Sequence, residues 1–493
     1  MTGIDTYIEE VIARGDEGSD LLRARTAPTL SNSDIVDVVV GAGQRLAVLR
    51  IPEDHYVVVH SIGGDPNERD PERHAASLVD KLVAQAGSIG SLKLTPVAFS
   101  NVIDSRTGDI SLIDGIAGSL VERANHYGLA IMTGENAILG DRVSEDAQAN
   151  VMGTMISLVS KDKLEMPKGG IFSAEEDLYA VFDPQGRAVF INADGVGTKT
   201  EFYERTGISY NSAINDFMAM NLDDTSKIGA VARVISSLVE TRRQTLIQIQ
   251  GIAKHLKYLA AKMGLIGILQ HEEVGDRIRG YSDESDSYNI SGSVVSTIDE
   301  NRLRNPLKPE AGEYVVAIAG RQPNPRSNGI TSKRETMVEL FGEDWHGTDI
   351  GKIFLEYLAA PSTVLYPAFR GLIDSGLATS VYHMSGGAFN GKLARPLAEH
   401  GLFVRLENLF KPDWRELALA GASFTSAEVA YAKWPMGNDG FVTTGYLDEA
   451  MNTIRERYSL RARAVGRLEE ATDGRTGVEL VAVNGEEVYY SGK

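Results

Sequence analysis

The chain has 493 residues and a formal net charge of −19, with Asp and Glu outnumbering Lys and Arg 68 to 49. That balance argues against a general nucleic-acid or anionic-membrane surface. The absence of cysteine excludes disulfides, thiolate metal sites, Fe–S clusters and a Cys nucleophile. No apolar run approaches the roughly 18 residues of a membrane helix. The start, MTGIDTYIEEVI, lacks the basic-then-apolar order of a signal peptide, so the cytoplasm is the expected compartment.

Taken in chain order, residues 1–30 read as an N-terminal segment. An apolar run from Ile35 to Val40 then meets Gly41-Ala42-Gly43, read as a strand turn because Leu46 stands where a dinucleotide loop needs its third glycine. The strand Val57-Val58-Val59 runs into Ser61-Ile62-Gly63-Gly64-Asp65. Gly115-Ile116-Ala117 lies in a helix-period run that ends at Gly128-Leu129, and Asn150 to Val159 reads as a closing strand. These landmarks then recur in the same order. The strand Val189-Phe190-Ile191 runs into Asp194-Gly195-Val196-Gly197-Thr198. Gly251-Ile252-Ala253 leads to Gly264-Leu265, and Asn289 to Ile298 closes. Each stretch reads as strand, turn, helix, helix, strand and closing strand. Residues 31–165 and 166–305 are therefore expected to be two copies of one domain. Asn305-Pro306 to Pro309 reads as a linker, and 306–493 as a third domain with a tail hairpin turning at Asn484-Gly485.

The sharpest chemical signal is DGVGTK, Asp194 to Lys199, directly after a strand. Two glycines let the backbone approach a ligand, while Asp194, Thr198 and Lys199 offer a hard oxygen, a hydroxyl and a positive charge. Such a set suits Mg²⁺ and phosphate, because Mg²⁺ takes few carboxylates and borrows phosphate oxygens. Taken alone, it is a Gly-rich turn about as readily. Ser327-Asn328-Gly329 and Ser385-Gly386-Gly387 each precede a stretch read as a helix, and backbone N–H groups there suit a phosphate or serve as plain N-caps. Trp414, Trp434 and Met436 read as packing residues.

DGVGTK and the blocks downstream of it resemble aminoimidazole ribonucleotide synthetase, the phosphoribosylformylglycinamidine cyclo-ligase, and its ATP-binding superfamily. Asn221-Leu222-Asp223-Asp224 stands in the place of that family's Asn-Asp. Pro325-Arg326-Ser327-Asn328-Gly329 resembles its Pro-His-Ser-Asn-Gly, Leu358 to Tyr366 its Leu-Ala-Pro-Thr block, and His383-Met384-Ser385-Gly386-Gly387 its His-x-Thr-Gly-Gly. Trp434 to Gly440 stands where the family has an Asn/Gly-rich turn. The likeness covers about 166–493.

The first copy resembles the ATP domain in degenerate form. Its turn lacks the Asp and the Thr-Lys, yet Gly134-Glu135-Asn136-Ala137 resembles the family's Gly-Glu-Thr-Ala. The second copy, reading GLIGILQHEEVG from Gly264, has no Gly-Glu pair. In the superfamily two such domains pair face to face around the nucleotide. The resemblance therefore implies an α+β chain: two tandem N-terminal ATP domains forming an intrachain pseudo-dimer with one working site, plus one α/β C-terminal domain.

The implied cofactors are ATP and Mg²⁺. Asp194, Asp224 and Glu135 would hold the metal, with the choice between Asp223 and Asp224 left open. Gly134, Glu135, Asn136, Asp194, Gly195, Gly197, Thr198 and Lys199 would bind ATP. Ser327, Asn328, Gly329, Ser385, Gly386 and Gly387 would bind a ribonucleotide. His383 would orient or protonate it, and Lys199 would steady the phosphates. Arg326 replaces the family's His, where it cannot transfer a proton but can grip a phosphate or carboxylate. The implied reaction is closure of an imidazole ring on formylglycinamidine ribonucleotide. Another ATP-using member with a different substrate, or a nucleotide-binding partner without catalysis, is the alternative. Neither nucleic acid nor membrane is an expected partner, and the chain is expected as a monomer with an internal pseudo-dimer or as a homodimer.

Overall fold

The computed structural model describes residues 17–41, 44–87, 89, 92–174, 177–207, 211–243, 246–282, 287–472 and 474–492. Ala42 and Gly43 of the expected strand turn, and residues 1–16 of the expected N-terminal segment, lie outside them. The described residues form a mixed α/β structure with four sheets.

Helix α1 (17–26) and the hairpin strands β1 (Val36–Gly41) and β2 (Gln44–Leu49) come first. Next come β3 (His55–Gly63), α2 (Pro71–Gly87), β4 (Thr95–Ser105), α3 (Ile110–Tyr127), β5 (Ala130–Ile138) and β6 (Ala149–Ser160). A second series has β7 (Ile171–Ala174), β8 (Asp177–Phe182) and β9 (Ala188–Val196). It continues through helices α4 (Thr198–Thr206) and α5 (Asn211–Ser226), β10 (Val231–Thr241), α6 (Leu246–Lys262), β11 (Ile266–Glu273) and β12 (Tyr288–Ile298). Strand β4 thus separates α2 from α3, and β10 separates α5 from α6, where the sequence reads helix after helix. Strand β4, TPVAFSNVIDS, carries Ser100, Asn101, Asp104 and Ser105 buried among its apolar residues, so the alternation that marks a half-exposed strand is missing.

The first sheet runs β5-β4-β6-β3-β8-β7 and the second β11-β10-β12-β9-β2-β1. Strand directions match along both: β4 and β5 are parallel, as are β10 and β11, and the remaining pairs are antiparallel. Each N-terminal hairpin is attached to the other series. The hairpin β1–β2 joins β9 through Leu49↔Val189, and β7–β8 joins β3 through Val57↔Phe182 to Val59↔Ala180. Sheet membership therefore does not divide at residue 165.

The two sheets pack face to face. Val57, Val59, Ile156 and Leu158 meet Val189, Ile191, Val234, Ile268 and Val295 in one buried cluster. Each such side chain contributes roughly 1.5–3 kcal/mol on full burial. Ser61 and Ser236 (2.6 Å) and Ser100 and Ser293 (2.8 Å) hydrogen-bond across this interface. On the outer side of the first sheet, α2 and α3 bury Leu78, Val79, Leu82, Ile113, Ile116 and Leu120 at helical spacing. Asp109 caps α3, and Gly128 ends it in the left-handed conformation.

Helix α5 is different. It buries Asp216, Asn221, Asp223 and Thr225 as well as its apolar residues, because it lies between the second sheet and the C-terminal part of the chain. That part contains α7 (Glu300–Arg304), β13 (Tyr314–Ala319), α8 (Ile330–Phe341), α9 (Asp349–Leu358), α10 (Tyr366–Asp374) and β14 (Ser380–His383). A π-helical stretch, Phe389–Ala394, continues into α11 (Arg395–Glu399), where the sequence reads one helix from Lys392 to His400. The remainder is β15 (Leu402–Leu406), α12 (Trp414–Ser423), α13 (Ala427–Lys433), β16 (Gly440–Thr444), α14 (Leu447–Asn452), β17 (Arg461–Arg467), β18 (Glu469–Glu470), β19 (Gly477–Val481) and β20 (Glu487–Tyr490). Its sheets run β14-β16-β13-β17 and β18-β15-β19-β20, and β19 and β20 form a hairpin turning at Gly485. No described helix is long and apolar enough to cross a membrane.

Candidate nucleotide site

Three parts of the chain meet at one cleft of about 250 Å³. Strand β5 brings Glu135 and Asn136. The end of β9 and the start of α4 bring Asp194, Gly195, Gly197, Thr198 and Lys199. The loop before α8 brings Ser327, Asn328 and Gly329. The close fit has a local cause at Gly197, where a Cβ would stand 2.5 Å from the side chain of Leu139 in the other series, so any larger residue would have to push Leu139 aside.

Electrostatics mark the cleft. Burial pushes the Asp194 carboxyl well above its ordinary range, and Glu135 and Asp224 push it further. Asp224 goes the other way: burial would raise it, but Lys227, Lys392 and His383 together hold it well below the carboxylate range. Two acidic groups thus press on Asp194, and a divalent cation would relieve that repulsion. Among the described residues, no three His, Asp or Glu side chains stand close enough to enclose a metal by themselves. The donor set fits a Mg²⁺ that takes one or two of these carboxylates and completes its shell with phosphate oxygens and water.

Several expected roles look different in place. The Lys199 ammonium, 1% exposed, is 2.7 Å from both Asp216 Oδ1 and the Ala360 carbonyl. Asp216 Oδ1 also accepts from Ser327 Oγ at 2.7 Å and from the Ser362 N–H at 2.8 Å. Lys199 and Ser327 thus lock three loops together, and the Lys199 charge is committed to Asp216 rather than offered to a phosphate. Arg326, buried and with φ 61°, is likewise committed. Its Nη2 donates to Asp223 Oδ2 (3.0 Å) and His383 Nδ1 (2.7 Å), and its Nη1 donates to the Thr363 carbonyl. It does not present a grip for a ligand.

Asp223 Oδ1 accepts the Leu365 and Tyr366 N–H groups, at 2.8 and 2.7 Å, at the start of α10. Burial pushes Asp223 up to about 7 against the pull of Arg326. Asp223 is therefore held in the scaffold, and Asp224 is the one that faces Asp194. A guanidinium only donates, so His383 Nδ1 accepts and its proton sits on Nε2, 3.1 Å from Asp224 Oδ1 and off the line of a straight hydrogen bond. Burial lowers the His383 pKa to about 3, so the ring is neutral near pH 7. It can orient Asp224 but carries no spare proton to deliver.

Asn328 Nδ2 donates to the Ser385 and Lys433 carbonyls, both at 2.9 Å, which ties the Ser385-Gly386-Gly387 loop behind the cleft. Those three residues, Gly134, Asp224, Arg326 and His383 are not among the residues lining it. Sequence reading missed Lys227 and Lys392, which act on Asp224, and Asp216, which holds the loops. Lys392 comes soon after Ser-Gly-Gly, but a lysine at a helix start reads as a solvent-facing residue.

The chain is similar in sequence to phosphoribosylformylglycinamidine cyclo-ligases. It is 25% identical to that of Thermococcus kodakarensis over 248 residues, 50% of this chain and 71% of the relative. It is also 25% identical to that of Pyrococcus horikoshii over 246 residues, 50% and 70% of the two chains. No family model matches. Among solved structures, thiamine-monophosphate kinase from Stenotrophomonas maltophilia aligns with 64% of this chain and 92% of its own at TM-score 0.41 and 11% identity. T. maritima PurL complexed with FGAR aligns with 61% of this chain and 45% of its own at TM-score 0.39 and 13% identity.

Proposed function

We propose that this chain is an ATP- and Mg²⁺-dependent cyclo-ligase acting on formylglycinamidine ribonucleotide. ATP phosphorylates the formyl oxygen, a substrate nitrogen attacks that carbon, the imidazole ring closes and phosphate leaves. Residues 31–165 and 166–305 are two copies of one domain, joined as an internal pseudo-dimer by exchanged hairpins, and 306–493 completes the site. The observation that carries the reading is the convergence of Glu135 from β5 and Asp194 from β9 on one cleft.

In this reading Asp194, Glu135 and Asp224 hold Mg²⁺, which neutralises triphosphate charge when bound. Backbone N–H groups at the starts of α4 and α8 receive phosphate oxygens. His383, kept neutral by burial and fixed in tautomer by Arg326, orients Asp224. The chain's contribution is positioning and charge placement.

A second reading is supported by Arg326. Its burial against Asp223 and His383 leaves no proton-transfer group where the cyclo-ligase family has His, which favours a different acceptor for the same ATP chemistry. ADP release with formylglycinamidine ribonucleotide tests both. The expected result is turnover that falls on the order of 100-fold in Asp194→Asn. ATP binding without ADP release on this ribonucleotide would leave the second reading, and no ATP binding would end both.

A further inference from the structure

The loop that opens α8 has a backbone that L side chains rarely adopt. Arg326, Ser327 and Gly329 have φ of 61°, 51° and 61°. Side chains fix most of this run: Arg326 donates to Asp223, Ser327 donates to Asp216, and Asn328 Nδ2 donates to the Ser385 and Lys433 carbonyls. The Asn328 carbonyl is held from within the helix. Lys333, one turn into α8, donates to it from Nζ at 2.9 Å.

The Lys333 side chain is fully buried. Its ammonium lies 3.9 Å from the centre of the Trp434 ring and 4.0 Å from Glu416 Oε1 of α12. Among the described residues, the Asn328 carbonyl is its one hydrogen-bond acceptor. Burial lowers the Lys333 pKa to about 7; Glu416 opposes the fall and Lys199 adds to it. An ammonium here costs desolvation that a Leu or Met of similar volume would not. The helix start beside it is open. Gly329 has no side chain to act as a cap, and first-turn N–H groups have no partner within a helix. Gly329, Ile330, Thr331 and Ser332 all line the nucleotide cleft.

We propose that Lys333 is a positioning residue of the nucleotide site, which aims the N–H groups at the start of α8 at phosphate oxygens of the nucleotide. The proposal rests on the reading of the cleft as the nucleotide site. A trans peptide is planar, so its N–H points opposite to its C=O. With the Asn328 carbonyl drawn toward the buried Lys333, the Gly329 N–H turns away from the core and toward the cleft that Gly329 lines. Trp434 backs the same peptide. A Cβ at position 329 would stand 2.2 Å from Trp434 Nε1, which donates to Ser332 Oγ at 3.3 Å, and Ser332 Oγ donates to the Gly329 carbonyl at 2.9 Å. Lys333 touches no phosphate itself. It acts through the peptide it holds.

Calorimetric titration of AMPPCP with Mg²⁺ compares wild type, Glu416→Gln and the double variant Lys333→Met/Glu416→Gln, in which neither charge is left unpaired in the core. Thermal denaturation checks each fold. Glu416→Gln keeps the hydrogen bond to Asn328 and is expected to bind within about twofold of wild type, and the double variant at least about tenfold more weakly. Hydrogen–deuterium exchange reads the contact directly. Saturating AMPPCP should slow exchange across residues 329–332 in wild type and Glu416→Gln, and not in the double variant. A double variant that binds as tightly as wild type, an equal loss in both variants, or no protection of residues 329–332 in saturated wild type overturns the positioning role and leaves the nucleotide site standing. If the double variant does not fold, the exchange measurements on wild type and Glu416→Gln decide. Wild type that binds no AMPPCP overturns the nucleotide reading and this one with it.

Discussion

The nucleotide cleft and the region that matches it in the other sheet stand on the same strand order and have opposite electrostatics. In the second sheet Gly292 pairs with Asp194; in the first, Gly153 pairs with Ile62, which therefore takes the aspartate's place. On the neighbouring strands Val102 pairs with Glu135 and Leu238 with Gln270, so the glutamate is replaced too. The region without these carboxylates holds an ion pair of its own: Lys81 Nζ stands 3.2 Å from the Gly64 carbonyl and 3.3 Å from Glu272 of the other series. The cleft does the reverse. Its carboxylates repel one another, and Lys199, which lines it, is committed to Asp216. In the proposed reading, a cation and a polyphosphate would relieve that repulsion. A site without that demand closes on an ion pair of its own.

The largest effects should come from the cleft side. Glu135→Gln and Asp194→Asn are each expected to lower kcat/KM for ATP-dependent turnover on the order of 100-fold. If both act on one transition state, the double variant loses less than the product of the two. Steady-state kinetics decide, and strictly multiplicative losses would place the two carboxylates at separate sites.

A middle-sized effect tests the joint between the two sheets. Glu240 Oε2 accepts from Asn150 Nδ2 at 2.5 Å, and Asn289 Nδ2 lies 3.4 Å from it and 2.5 Å from Asp104 Oδ2. Burial, with Glu272 and Asp104 adding, pushes the Glu240 pKa up to about 8. A folded-state pKa above the unfolded one means the fold favours the protonated carboxyl. Its contribution is fully present at low pH and is lost as pH rises from the ordinary carboxyl range through about 8. Calorimetric Tm should fall by several °C across that range, and Glu240→Gln, which cannot ionise, should flatten the fall. A slope unchanged in the variant would assign the pH dependence elsewhere.

The smallest effects belong to the region around Lys81 and Glu272. Glu272→Gln and Asp65→Asn are expected to leave turnover within about twofold and stability within about 1 kcal/mol. Asp65 Oδ1 accepts the Asn67 N–H of its own turn, at 3.0 Å. A large loss of turnover in either variant would mean that this region takes part in the chemistry.

What the sequence made legible is local. Glu135, Asp194 and the Ser327–Gly329 loop are each flagged by a short motif, and all line one cleft. The helices α3 and α6 follow from their apolar spacing and terminal glycines. Strands β4 and β10 escaped because serines, Asn101, Asp104 and Glu240 are buried at the joint between sheets, which erases the pattern of a surface strand. The hairpin exchange escaped because nothing in a strand's residues states which edge it will join. Lys199, Arg326 and His383 carry the residue types of a catalytic site, yet their hydrogen bonds turn inward. Residue type gives chemical capacity, while the partners that use up that capacity come from segments far apart in the chain.

The exchanged hairpins also bear on how the chain is made. Strand β2 finds its inner partner only when β9, at Val189, has left the ribosome, and β3 keeps an open edge until β8 arrives. A nascent chain that has completed β6 holds its first helices and strands but not its finished sheet, and β3 remains a strand edge on which another chain can pair. The two series therefore reach their native pairing together, only after the start of the second has been made, and contacts this distant in sequence slow the approach to it.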